Sequence, residues 1–127
     1  MRQTIATEGA PAAIGPYVQA VKVRAQEMLF CSGQIPLDPA TGNLVDGDVR
    51  SQVQRVLDNI GAILSSQGLT AANVVKSTVF LVDLADFSAM NEVYARFFTG
   101  DCPARSTIQV AALPKGARVE IEVIAHY

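Results

Sequence analysis

The chain has 127 residues, with 10 Lys or Arg against 12 Asp or Glu, a formal charge of −2 and a pI near 5.2. At the usual charged fraction of about 25%, a chain this long would carry roughly 32 charges, so about ten are missing, and the mean hydropathy is +0.25. Such a composition excludes intrinsic disorder, which needs low hydrophobicity and high net charge. It also excludes a spanning helix, which needs about 18 apolar residues in a row, and it argues against a binder of phosphate backbones, because Lys and Arg are scattered with no basic stripe.

The length fits one compact domain over residues 1–127. Residues 3–7 can add a first strand. Residues 19–24 and 27–32 read as two strands joined by a short polar turn, and Cys31, after Met28-Leu29-Phe30, reads as a buried strand thiol. Residues 36–43 hold two prolines, a glycine and an asparagine and specify a turn-rich loop. From Val49 to Gln67 the residues Val49, Val53, Val56, Leu57, Ile60, Ile63 and Leu64 recur at helical spacing. Asp46 or Asp48 can cap this helix, and Gly68 suits the position just past its end. Residues 74–82 are dense in β-branched side chains and form a largely buried strand.

A second helix runs from Phe87 to Phe98 with Asp86 at its N-cap; its apolar face is Phe87, Met90, Val93, Tyr94, Phe97 and Phe98. Cys102, beside Pro103, is a loop thiol. Strands over 104–110 and 118–125 close the chain, with His126 in a frayed terminus. The order β-β-β-α-β-α-β-β is an α+β class with two helices, enough to cover one face of a sheet. The other face must meet solvent or a further copy, and the shortage of charge favours a copy. The N-terminus lacks the apolar core of a secretory signal. The two cysteines form no CxxC pair and have no histidine beside them, which points to the reducing cytoplasm.

Strand residues alternate between faces. In 104–110 one face carries Ala104, Ser106, Ile108 and Val110, the other Arg105, Thr107 and Gln109. In 118–125 the apolar set is Val119, Ile121, Val123 and Ala125, opposite Arg118, Glu120, Glu122 and Ile124. With the apolar sets under the helices, Arg105, Thr107, Glu120 and Glu122 share the uncovered side. Two readings fit. One is a cross-strand Arg–Glu ladder worth a few tenths of a kcal/mol; the other is a site in which a guanidinium grips a carboxylate and a glutamate handles a water.

Residues 103–114, Pro-Ala-Arg-Ser-Thr-Ile-Gln-Val-Ala-Ala-Leu-Pro, followed by Val119-Glu120-Ile121-Glu122, resemble the C-terminal signature of the RidA/YjgF family. Ile14 to Ala20, Ser32 to Pro39 and Phe87 to Phe98 around Asn91 agree in order, so the resemblance spans the chain. It implies a chorismate-mutase-like α+β fold, a mixed β-sheet with two helices packed on one face, assembled as a homotrimer with sites between subunits. It also implies hydrolytic deamination of 2-iminobutanoate and 2-iminopropanoate to 2-oxo acids and ammonia, with no metal and no organic cofactor.

By the same resemblance Arg105 holds the substrate carboxylate and Glu120 handles the attacking water. Tyr17, Ser32, Gly33, Asn91 and Thr107 line the cleft. Thr107 stands where members of the best-known branch often carry cysteine, and Thr99 to Cys102 is a short version of a variable loop. A non-catalytic trimeric module that binds small carboxylates or a partner protein is the alternative. RNA cleavage, also ascribed to parts of the family, is disfavoured by the acidic pI and the lack of a basic patch.

Overall fold

The computed structural model describes residues 1–127. Strands β1 (Arg2–Ile5), β2 (Ala20–Val23) and β3 (Met28–Gln34) precede helix α1 (Val49–Ser66). Then come β4 (Val74–Leu81), helix α2 (Phe87–Phe97), β5 (Ala104–Gln109) and β6 (Val119–His126). The main sheet has the order β3-β6-β4-β5, with β4 and β5 parallel and the other pairs antiparallel, so it is mixed. The expected α+β class is observed.

One cluster of 18 buried residues forms the core between the helices and one face of this sheet. Helix α1 supplies Val49, Val53, Val56, Leu57, Ile60 and Leu64, and β6 supplies Val119, Ile121, Val123 and Ala125. Of the two candidate caps, Asp48 is the one used: its Oδ1 accepts the Ser51 N–H at 3.0 Å. Gly68 follows the helix at φ 70°, and Leu69 N–H reaches back to the Leu64 carbonyl at 2.9 Å, closing the end as expected. Buried Gln52 accepts the Arg118 backbone N–H, so it is not an orphan in the core.

The opposite sheet face has no cover within the chain. Phe30 is 71% exposed and Ile108 45% exposed there, beside Phe80 and Ile124. Among the helices none is long and apolar enough to cross a membrane.

Four expectations need correction. Residues 19–24 do not pair with the following strand; β2 pairs with β1 in a separate two-stranded ribbon, while β3 pairs with β6. The cause is an anchor distant in sequence: the Arg2 guanidinium donates to the backbone carbonyls of Ala72, Asp101 and Cys102 and holds the ribbon beside the start of β5. Asp86 occupies the N-cap position of α2, but its carboxylate makes no capping bond and is taken by Arg118 at 3.0 Å from both oxygens. Cys31 is half-buried instead of buried, because β3 is an edge strand with no neighbour on one side. His126 is not frayed. It ends β6 opposite Met28, and its carbonyl accepts the Asn73 side-chain N–H at 3.0 Å.

Candidate active site

Strand β5 joins the sheet parallel to β4, with Arg105 opposite Ser77 and Thr107 opposite Val79. Ser77 and Val79 are fully buried beneath the helices, so Arg105 and Thr107 face the same way. On β6, Glu120 lies opposite Phe80 and Glu122 opposite Thr78, the other face of the sheet. The expectation that Arg105, Thr107, Glu120 and Glu122 share the uncovered side is therefore wrong for the first two. The apolar set of β5 faces outward because β5 is the edge strand, where the surface toward α2 is a cleft lined by aromatic and amide groups.

Within that cleft Arg105 donates from Nη1 to Asn91 Oδ1 at 2.7 Å. Its guanidinium carbon lies 4.8 Å from the Tyr94 ring centre, 5.2 Å from Tyr17 and 5.6 Å from Phe87. Rings at such distances attract the cation through their quadrupoles and limit its swing. Phe87, Asn91 and Tyr94 fall at i, i+4 and i+7 on α2, one stripe of the helix aimed at Arg105. Tyr94 is fully buried and shares a 2.6 Å hydrogen bond with the Ser77 hydroxyl. Burial pushes its phenol pKa up to about 12, against smaller opposing effects of Ser77 and Arg105.

Burial also lowers the Arg105 pKa, opposed by Tyr94, Tyr17 and Cys102. The ion pairs of the chain are Arg50–Glu92 and Arg118–Asp86, so no carboxylate neutralises Arg105. A cavity of about 220 Å³ opens beside it, lined by Tyr17, Phe87, Arg105 and Thr107. Thr107 Oγ1 is buried at this wall with no hydrogen-bond partner. A half-buried cation whose one fixed partner is a neutral amide, next to an unsatisfied hydroxyl, suits a small anion with hydrogen-bonding capacity.

A second cluster lies on the uncovered face. The β3–β6 register slips by one residue between Cys31 and Gln34, a bulge at Ser32-Gly33. There the Glu120 carboxylate lies over the Gly33 backbone: a Cβ on Gly33 would overlap Glu120 Oε2 and sit 2.8 Å from its Cδ. Ser32 is exposed at the same bulge.

The structure thus brings Tyr17, Asn91 and Thr107 to Arg105, and Gly33 to Glu120 with Ser32 beside it, but it does not bring the two clusters together. They occupy opposite faces, on strands two apart in the sheet, which is roughly 10 Å laterally. Sequence reading put Phe87 and Tyr94 on the apolar face of α2, and Tyr94 is indeed in the core cluster; what it missed is that both rings also flank Arg105. The signal was available, since Asn91 shares their helical stripe. No group of three or more His, Cys, Asp or Glu side chains stands together as a metal site would require.

The architecture is thus an α+β domain, a mixed sheet with two helices on one face and Arg105 on its edge strand. Comparison with known proteins gives the family. Residues 7–127 match the model of the family described as Endoribonuclease L-PSP. The chain is 56% identical over 124 residues to the protein DfrA of Myxococcus xanthus, covering 98% of this chain and 95% of that protein. It is 54% identical over 125 residues to the 2-iminobutanoate/2-iminopropanoate deaminase of Capra hircus, covering 98% and 90%. Among solved structures, RidA from an Antarctic Psychrobacter species superposes with a TM-score of 0.76 at 46% identity, over 98% of this chain and 99% of that one. TdcF of E. coli with bound serine does so with a TM-score of 0.76 at 46% identity, over 98% of each chain. The chain belongs to this family, the RidA/YjgF proteins.

Proposed function

We propose that the chain is a hydrolytic deaminase of small 2-imino acids, with each active site built from two copies. The observation that carries this reading is the unneutralised Arg105 in its aromatic cleft, beside the unsatisfied Thr107 hydroxyl. Arg105 clamps the substrate carboxylate; Asn91 and the rings of Tyr17, Phe87 and Tyr94 keep the guanidinium aligned. Thr107 Oγ1 hydrogen-bonds the substrate.

Glu120, over Gly33 and near Ser32, comes from a neighbouring copy, since its own chain holds it on the far face of the sheet. The apolar uncovered face is the surface on which copies close, as a homotrimer by family resemblance. The bound serine named for TdcF is a small carboxylate of this size.

Protonated imines are electrophilic without further activation, so orientation and one placed water supply most of the catalysis. Glu120 accepts a proton as water adds to the C=N carbon, giving a carbinolamine. It returns that proton to the nitrogen, the C–N bond breaks, and the hydroxyl proton leaves with ammonia as ammonium. The 2-oxo acid remains on Arg105. The substrates are 2-iminobutanoate and 2-iminopropanoate, products of pyridoxal-phosphate dehydratases, whose removal spares other enzymes from attack. The two half-buried free thiols suit the reducing cytoplasm.

The family's description names RNA cleavage, but a chain of charge −2 has little to hold a phosphate backbone. The test couples the protein to a threonine dehydratase and follows decay of the imine. The wild type accelerates decay and Arg105→Ala does not. Tight 2-oxo acid binding without turnover would instead select the non-catalytic module.

A further inference from the structure

The loop between β1 and β2 carries Tyr17, yet residues 6–14 make no backbone–backbone hydrogen bond at all. The loop is largely exposed, and the protein partners its backbone does have come mostly from one side chain. Gln19 Oε1 accepts the Thr7 N–H at 2.6 Å, and its Nε2 donates to the carbonyls of Thr7, Ala10 and Pro11 at 3.1, 3.2 and 2.7 Å. Packing does little to help, because the loop borders a hollow of about 640 Å³ that Tyr17 and Gln19 also line.

The far end of the loop is the site. Tyr17 N–H closes a tight turn onto the Gly15 carbonyl at 2.7 Å. A Cβ at Gly15 would lie 3.4 Å from the Tyr17 ring and 3.9 Å from Arg105 Nη2. The turn from Ile14 to Tyr17 therefore rests directly on the guanidinium, and whatever fixes the loop fixes that wall of the cleft.

We propose that Gln19 is a positioning residue: its carboxamide straps residues 7–11 to the root of β2 and thereby holds the Gly15–Tyr17 turn against Arg105. Its effect on turnover rests on the imine-deaminase reading; its effect on the loop does not. Glutamate at this position keeps the shape and can still accept from Thr7, but it cannot donate to three carbonyls and repels them.

The test measures hydrogen–deuterium exchange and imine kinetics in wild type, Gln19→Ala, Gln19→Glu, Tyr17→Ala and Gln19→Ala/Tyr17→Ala. Exchange over residues 7–14 rises in both Gln19 variants while α1 keeps its protection. Their kcat/KM falls about tenfold, mainly through KM, the scale of a hydrogen-bonded anchor lost. The double variant is no worse than Tyr17→Ala, because both act through one wall. Unchanged exchange, wild-type kinetics in a loosened loop, or additive losses in the double variant each overturn the proposal. A wild type inert toward imines, with exchange still governed by Gln19, sinks the deaminase reading and leaves the strap standing.

Discussion

Arg105 keeps its charge in a cleft where its one fixed protein partner is the Asn91 amide, and the aromatic rings around it restrict its motion. The same economy appears at Gly33, where a single hydrogen leaves room for the Glu120 carboxylate. Gly33→Ala therefore displaces Glu120; kcat falls in the coupled imine assay while thermal stability changes little, because the bulge is at an edge strand. The Ser77–Tyr94 hydroxyl pair is a different case, fully buried and satisfied only internally. Ser77→Ala leaves the phenol unpaired and costs about 1–3 kcal/mol in denaturant unfolding, most of which returns in Ser77→Ala/Tyr94→Phe.

The Tyr94 pKa near 12 also sets a sign. A raised folded pKa stabilises fully below the unfolded value of about 10 and is lost as pH rises through the folded one. Stability of the wild type accordingly declines between about pH 10 and 12, and Tyr94→Phe declines less over that window. Resemblance to a family signature singled out Arg105, Glu120 and Tyr17 as candidates, of which this chain brings Tyr17 to Arg105. Phe87 and Tyr94 were not assigned to the cleft, because their apolar stripe alone fits a core and only Asn91 on the same stripe marks its approach to the guanidinium.

Helix α1 was legible nearly to the residue, since its apolar stripe, its Asp48 cap and Gly68 are all local signals. Substituting Leu57 or Ile60, both fully buried on that stripe, by alanine costs about 2–5 kcal/mol in denaturant unfolding. The Asp48 carboxylate is held below its usual range, first by the Ser51 backbone N–H. A lowered folded pKa stabilises above the unfolded value and is lost as pH falls through the folded one. The melting-temperature gap between wild type and Asp48→Ala therefore narrows below about pH 4.

Strand β5 was misread because period-2 alternation separates two faces without saying which is inward. That depends on its register with β4 and on its place at the edge, both non-local. The partner of β2 was missed for the same reason: Arg2 reaches carbonyls about 70 and 100 positions along the chain, and nothing in the local pattern announces it. Resemblance placed Arg105 and Glu120 in one cleft; strand register decides that one chain alone does not unite them.

At the scale of the molecule, the shortage of charge and the uncovered apolar face describe the same surface. Phe30 and Ile108 stand exposed on it, and Glu120 lies there too. On the proposed reading, a monomer would leave this face in water and both half-sites incomplete, and association would complete the site and remove the face from solvent in one step. The most direct measurement of that claim is activity complementation. Arg105→Ala and Glu120→Gln, each inactive alone, are unfolded together, refolded in equal amounts and assayed for imine hydrolysis. With sites shared between neighbouring copies, random mixing pairs an intact Arg105 with an intact Glu120 at about a quarter of sites, and that share of wild-type activity returns. A mixture that forms mixed oligomers and stays as inactive as its components would contradict the account.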